Sequence, residues 1–144
     1  MKWIIIISNL FLYGCTHNHD GIHTDFLTPV HLKCYKDYEY KVDKDIKIIV
    51  DDREFFIKKG FNVNLKSIPK KILPLFKPFD ASLIKSMIVH SWFYEKTCDF
   101  TRKQTDLIFY HMLINEGIPA SKASILYYTV RLFGKKFYNE DYCE

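Results

Sequence analysis

The residues of this chain best suited to proton chemistry are His90 and Asp106, with Ser67 as a hydroxyl that such a pair could activate. A carboxylate bonded to one ring nitrogen fixes the imidazole tautomer and leaves the other nitrogen to act as general base toward a serine or a water. A small hydrolase built on His90, Asp106 and Ser67 is therefore one expectation. The same residues also suit a purely structural role, which is the preferred reading. A histidine beside Trp92 can be satisfied inside a helical core, Asp106 in the first turns of a helix complements the macrodipole, and Arg131 can bind carbonyl oxygens or Asp106 itself. Trp92, Tyr94 and Arg131 are the candidate binding residues, although Trp92, Tyr94, Phe109 and Phe133 read equally well as core aromatics.

Chemistry of another kind is expected at Cys15. Met1 and Lys2 give a short positive start, and Trp3, Ile4, Ile5, Ile6, Ile7, Leu10, Phe11, Leu12 and Tyr13 form an apolar run ending at Gly14 and Cys15. The run is too short to span a bilayer, which needs about 20 residues, and it has the order of a secretory signal. Leu12-Tyr13-Gly14-Cys15 resembles the bacterial lipobox, with Tyr13 bulkier than the usual small residue. The resemblance implies cleavage before Cys15, acylation of that cysteine and a membrane anchor in which several acyl chains act together, each buried methylene contributing about 0.8 kcal/mol. By the same resemblance Thr16 favours the outer membrane. A buried amino-terminal strand, with a cytoplasmic or virion protein behind it, is the alternative.

Residues 15–33 are expected as the lipidated cysteine and a polar tether, and 34–144 as one folded domain. His17, His19, Asp20 and His23 could offer imidazole and carboxylate to a metal, but nothing in their spacing preorganises a site, so no metal is assigned. With Cys15 acylated, Cys34, Cys98 and Cys143 allow at most one disulfide, whose pairing stays open. None of them has the spacing of a zinc site.

The remaining composition is that of an ordinary globular domain, and a chain this long can build a core without a cofactor. The net charge of +4 is spread among acidic residues, as in Lys41, Asp43, Lys44, Asp45 and Lys47, which argues against a nucleic-acid partner. No small-molecule ligand is indicated.

The elements that must position His90 and Asp106 follow from periodicity. Tyr38, Tyr40 and Val42 alternate with charged residues, as do Ile46, Ile48 and Val50. Asp51-Asp52 offers a turn before Glu54-Phe55-Phe56-Ile57, and Gly60 precedes Phe61 and Val63. These predict a small antiparallel β-meander. Asp80 caps a helix carrying Ile84, Met87, Ile88 and Trp92 on one face and running out near Lys96. Thr101-Arg102-Lys103-Gln104 has the form of a capping box for a second helix, stopped by Gly117. Pro119 opens a third, with Ala123, Leu126, Tyr127 and Val130 as its stripe and Gly134 at its end. The expected fold class is α+β, the meander packed on three α-helices.

Gly60-Phe61-Asn62-Val63-Asn64-Leu65-Lys66-Ser67-Ile68-Pro69, Val89-His90-Ser91-Trp92-Phe93-Tyr94, Arg102 to Asp106 with Phe109, and Val130-Arg131-Leu132-Phe133-Gly134 together resemble, in order, a phage-associated family known as domain of unknown function 1353. The resemblance covers roughly Tyr38 to Tyr138. It implies a phage or prophage origin and supplies no activity. Two family aspartates are Asn64 and Ser91 here, which argues against a two-acid or metal-dependent mechanism. The expected function is that of a membrane-anchored envelope interaction protein, serving superinfection exclusion or lysis. The alternatives are the small envelope hydrolase and a virion-associated structural protein.

Overall fold

In a computed structural model, residues 22–36, 38–65, 68–76 and 80–143 are described, apart from the side chains of 36, 142 and 143. Six strands, β1 (Thr24–Phe26), β2 (Leu32–Lys36), β3 (Glu39–Val42), β4 (Ile46–Val50), β5 (Arg53–Ile57) and β6 (Asn62–Asn64), precede three helices, α1 (Ala81–Lys96), α2 (Arg102–Asn115) and α3 (Ala120–Phe133). The fold is α+β. The strands do not form one meander, however. They divide into two antiparallel sheets of three, ordered β1-β4-β5 and β2-β3-β6.

The first sheet grows from the β4–β5 hairpin. Asp51 and Asp52 both adopt positive φ, 47° and 62°, which matches the strand twist at a two-residue turn and is tolerated by short polar side chains. Pairing of Ile46 with Ile57 and Ile48 with Phe55 puts their side chains on one face, and with Val50 they are buried. In the second sheet β3 pairs with β2 on one side and β6 on the other, with Tyr40 opposite Val63. Pairing across the intervening hairpin is what separates the sheets.

β1 and the start of β2 fall in the stretch expected as a tether. Thr24 pairs with Val50 and Phe26 with Ile48. The Asp51 backbone N–H donates to the His23 carbonyl at 2.9 Å, and the Asn115 side-chain amide donates to Thr24 Oγ1 at 2.8 Å. The chain is thus bonded into the domain from His23 onward, while the expected signal, Cys15 and the tether through Gly21 lie outside the described residues.

Helix starts follow local chemistry. Asp80 caps α1 by accepting from the Leu83 N–H. Thr101 and Gln104 form the reciprocal capping box of α2, at 3.3 and 2.9 Å. Pro119 precedes α3, and Gly117 (φ 88°) supplies the left-handed turn after α2. α1 is the central helix: Leu83, Ile84, Met87, Ile88, Val89, His90, Phe93 and Tyr94 are all buried. It packs on α2, which packs on α3, and β1 lies against α2. No helix among the described residues is long and apolar enough to cross a membrane. Cys98 is disulfide-bonded, and Cys34 lies exposed on β2.

Candidate functional site

His90 and Tyr94 stand one turn apart on α1 and so share a face, on which Asp106 and Arg102 of α2 and Arg131 of α3 converge. His90 Nε2 lies 2.8 Å from Asp106 Oδ1, the Tyr94 hydroxyl donates to the same oxygen, and Arg131 Nη1 donates to Asp106 Oδ2 at 2.7 Å. Arg102 Nη1 is 3.7 Å from Asp106 Oδ2 and donates to the carbonyls of Val130 and Arg131 at 3.4 and 3.3 Å. The His90 ring is packed between Tyr94 and Phe109, at centroid distances of 4.1 and 4.7 Å.

Burial and hydrogen bonding oppose each other here. Burial alone would raise the carboxyl pKa of Asp106, but hydrogen bonds from His90, Tyr94 and Arg131 outweigh it and hold the group below its ordinary 3.8. For His90 burial is the larger influence and pushes the imidazole below 6.5, against the pull of Asp106. Burial, then the neighbouring carboxylate, drive the Tyr94 phenol far above its usual range. At neutral pH the cluster is a carboxylate matched by the Arg131 guanidinium, with neutral imidazole and phenol as donors. Since Nε2–H serves Asp106, Nδ1 is the ring's acceptor. Asp106 is 0% and His90 5% exposed. The carboxylate is therefore a joint between three helices and has no open side.

His90 nevertheless lines a pocket between α1 and α3, with Ile68, Met87, Tyr94, Phe133 and Phe137 among its walls and a cavity volume of about 80 Å³. That space suits a few waters or one small apolar group, since a single water needs roughly 10–15 Å³ measured this way. Gly134 forms part of its edge, where a Cβ would stand 3.0 Å from the Tyr94 hydroxyl oxygen.

Of the sequence-derived candidates, His90, Asp106, Tyr94 and Arg131 are brought together. Ser67 lies outside the described residues. Trp92 points elsewhere, packing half-buried against Phe55 and Phe93. Phe133, expected in the core, is 56% exposed because the last residue of α3 covers the pocket with one side only. Arg102 was not singled out in the sequence, although its spacing of four from Asp106 carried the signal. Among the described residues no group of three or more His, Cys, Asp or Glu side chains is arranged to hold a metal ion.

A second feature was legible as spacing but not read. Ile125, Tyr128 and Leu132, at positions i, i+3 and i+7 of α3, are 38, 63 and 74% exposed, and Phe133 and Phe137 (45%) extend this apolar surface to the pocket mouth. The stripe Ala123, Leu126 and Val130 faces the core, so α3 carries two apolar faces and buries one.

Residues 40–130 match the family described as "Protein of unknown function (DUF1353)", and the chain belongs to that family. The matched region takes in α1, α2 and Asp106, and ends one residue before Arg131. Among curated proteins the chain is similar to the "Uncharacterized protein y4iH" of Sinorhizobium fredii (strain NBRC 101917 / NGR234), 30% identical over 81 residues, 53% of this chain and 34% of the relative. The chain thus spans about a third of that relative's length. No solved structure matches it.

Proposed function

We propose that this chain is a phage- or prophage-derived envelope interaction protein, exported, held to a membrane by lipid on Cys15, and docking an envelope protein through the outer face of α3. The observation that carries the reading is the exposed apolar surface of Ile125, Tyr128, Leu132, Phe133 and Phe137, since contiguous apolar patches on soluble domains mark interaction sites. The apolar run before Gly14-Cys15 and the disulfide at Cys98 support export to an oxidising compartment. Superinfection exclusion and assistance in lysis are the two roles that suit such a placement.

A hydrolase is the second reading, favoured by one observation: His90 lines a pocket while Asp106 holds its Nε2. Against it, Asp106 is sealed and committed to joining helices.

The test is to express the full chain in bacteria and follow phage DNA entry and the timing of lysis, beside Leu132→Asp and His90→Gln. Leu132→Asp, an exposed change that alters stability by only about 0.5 kcal/mol or less, is expected to abolish the effect, and His90→Gln to preserve it at a temperature where that variant remains folded. The reverse pattern overturns docking in favour of hydrolysis, and a wild-type chain without effect on either process contradicts both roles.

A further inference from the structure

We infer that the pocket between α1 and α3 is a binding site for a small neutral alcohol, whose hydroxyl donates to His90 Nδ1 while its carbon body rests on apolar walls. Neither docking by α3 nor bond cleavage at His90 is required for it. The fold leaves one acceptor unmatched: Nε2–H of His90 serves Asp106, and Nδ1 has no hydrogen-bond partner among the described residues. The residue is only 5% exposed. Among the described residues the unpartnered side-chain oxygen or nitrogen wholly closed to solvent is Thr105 Oγ1, so Nδ1 keeps its access, and the pocket that the ring lines supplies it.

The other polar groups of the wall select a donor. Tyr94 gives its hydroxyl proton to Asp106, and Thr129 Oγ1 donates to the Ile125 carbonyl at 2.7 Å, so both keep only lone pairs to offer a ligand. Ser91 makes no hydrogen bond among the described residues, and its hydroxyl can give one to a ligand oxygen. A ketone or an ether would meet Nδ1 lone pair to lone pair. An alcohol gives its proton to Nδ1 and still accepts one from Ser91.

Charge and size narrow the class further. Behind the His90 ring, Arg131 and Arg102 lie 2.7 and 3.7 Å from the same Asp106 oxygen, an excess of positive charge that disfavours a buried cation. Glu95 on the wall disfavours an anion. The cavity of about 80 Å³ is roughly half the size of the 150 Å³ apolar cavity that holds benzene, so the body is compact, of about four non-hydrogen atoms. Met87, Leu126, Val130 and Phe133 supply its apolar contacts. Water alone would satisfy Nδ1 but leave those walls wet, a cost that a carbon body removes.

The test is an NMR titration of the full chain with four ligands of one shape: propan-2-ol, acetone, isopropylammonium and acetate. Propan-2-ol is expected to give saturable shifts at the amides of Met87, His90, Thr129 and Gly134 and to move the Nδ1 resonance of the His90 ring, the signature of a proton donated to that nitrogen. It should bind about tenfold or more tightly than the other three, the weight of one hydrogen bond to an otherwise unmatched group. Ser91→Phe, which fills the pocket from a partly exposed position, is expected to abolish the shifts while the amides of β4 and β5 stay in place, and Leu132→Asp to leave binding unchanged. The comparison of the four ligands in the wild type needs no variant. Absence of saturable shifts with propan-2-ol, equal or tighter binding of acetone, isopropylammonium or acetate, an unmoved Nδ1 resonance, or shifts that survive in a folded Ser91→Phe each overturn the inference.

Discussion

Asp106 shows how one buried charge can organise a domain at the scale of single residues. Its oxygens, on α2, collect donors from both α1 and α3, and removing one partner of such a buried cluster strands the rest. Asp106→Asn is expected to cost about 3 kcal/mol, seen in thermal unfolding as a drop of roughly 10 °C for a domain of this size. The same cluster sets a pH dependence. The unfolded chain binds a proton on His90 near 6.5, whereas the buried native ring resists it, so stability is complete above that pH and declines as pH falls below it. Asp106, depressed in the fold, adds a second loss below 3.8, as pH falls toward its lowered value. Melting temperatures followed against pH should show both declines in the wild type and only the second in His90→Gln. Thr105, adjacent to Asp106, has a buried hydroxyl without a hydrogen-bond partner among the described residues. Thr105→Val is expected to stabilise the domain by about 1 kcal/mol in denaturant unfolding. The meeting of His90 with Asp106, and the option of Arg131, were legible because they depended on helical spacing. The part played by Tyr94 was not, because its hydroxyl gains meaning only once α2 lies across α1.

The elements divide by how local their causes are. Helix starts at Asp80 and Thr101 were readable because a cap is an exchange between residues three apart. The β4–β5 hairpin was readable for a similar reason, Asp51-Asp52 supplying turn conformations between alternating strands. β1 was not readable, since a three-residue strand with one buried side chain carries no periodicity and its partner β4 is distant in sequence, and neither was β2, whose Lys33, Cys34 and Tyr35 are all exposed and so show no alternation. The splitting of the sheet likewise depends on β3 choosing β6 over its neighbour β4. Gly134 has a different reason for being glycine than the one its sequence position suggested. Its φ of −77° is open to any residue, and what excludes a side chain is the Tyr94 hydroxyl 3.0 Å from the Cβ position. Gly134→Ala should therefore destabilise by about 1–3 kcal/mol through overpacking, and in tyrosine-resolved NMR it should move the Tyr94 ring signals. Unchanged stability and unchanged Tyr94 signals would show that the contact yields at no cost.

The whole molecule is a central α1 enclosed by two sheets on one flank and α2 and α3 on the other, with the sealed Asp106 carboxylate inside and an apolar face left outside on α3. In the proposed function that face is the docking surface, and the apolar run ending at Cys15 is the signal for export and lipid anchoring. The most direct measurement is the intact mass and membrane fractionation of the full chain produced in a Gram-negative host, beside Cys15→Ser, with and without an inhibitor of the lipoprotein signal peptidase. Under the proposed function the wild-type protein begins at Cys15, carries added acyl mass and sediments with the outer membrane, and the variant does none of these. Recovery of both proteins with Met1 intact and no acyl mass, in the soluble fraction, would contradict it and return the apolar start to the fold.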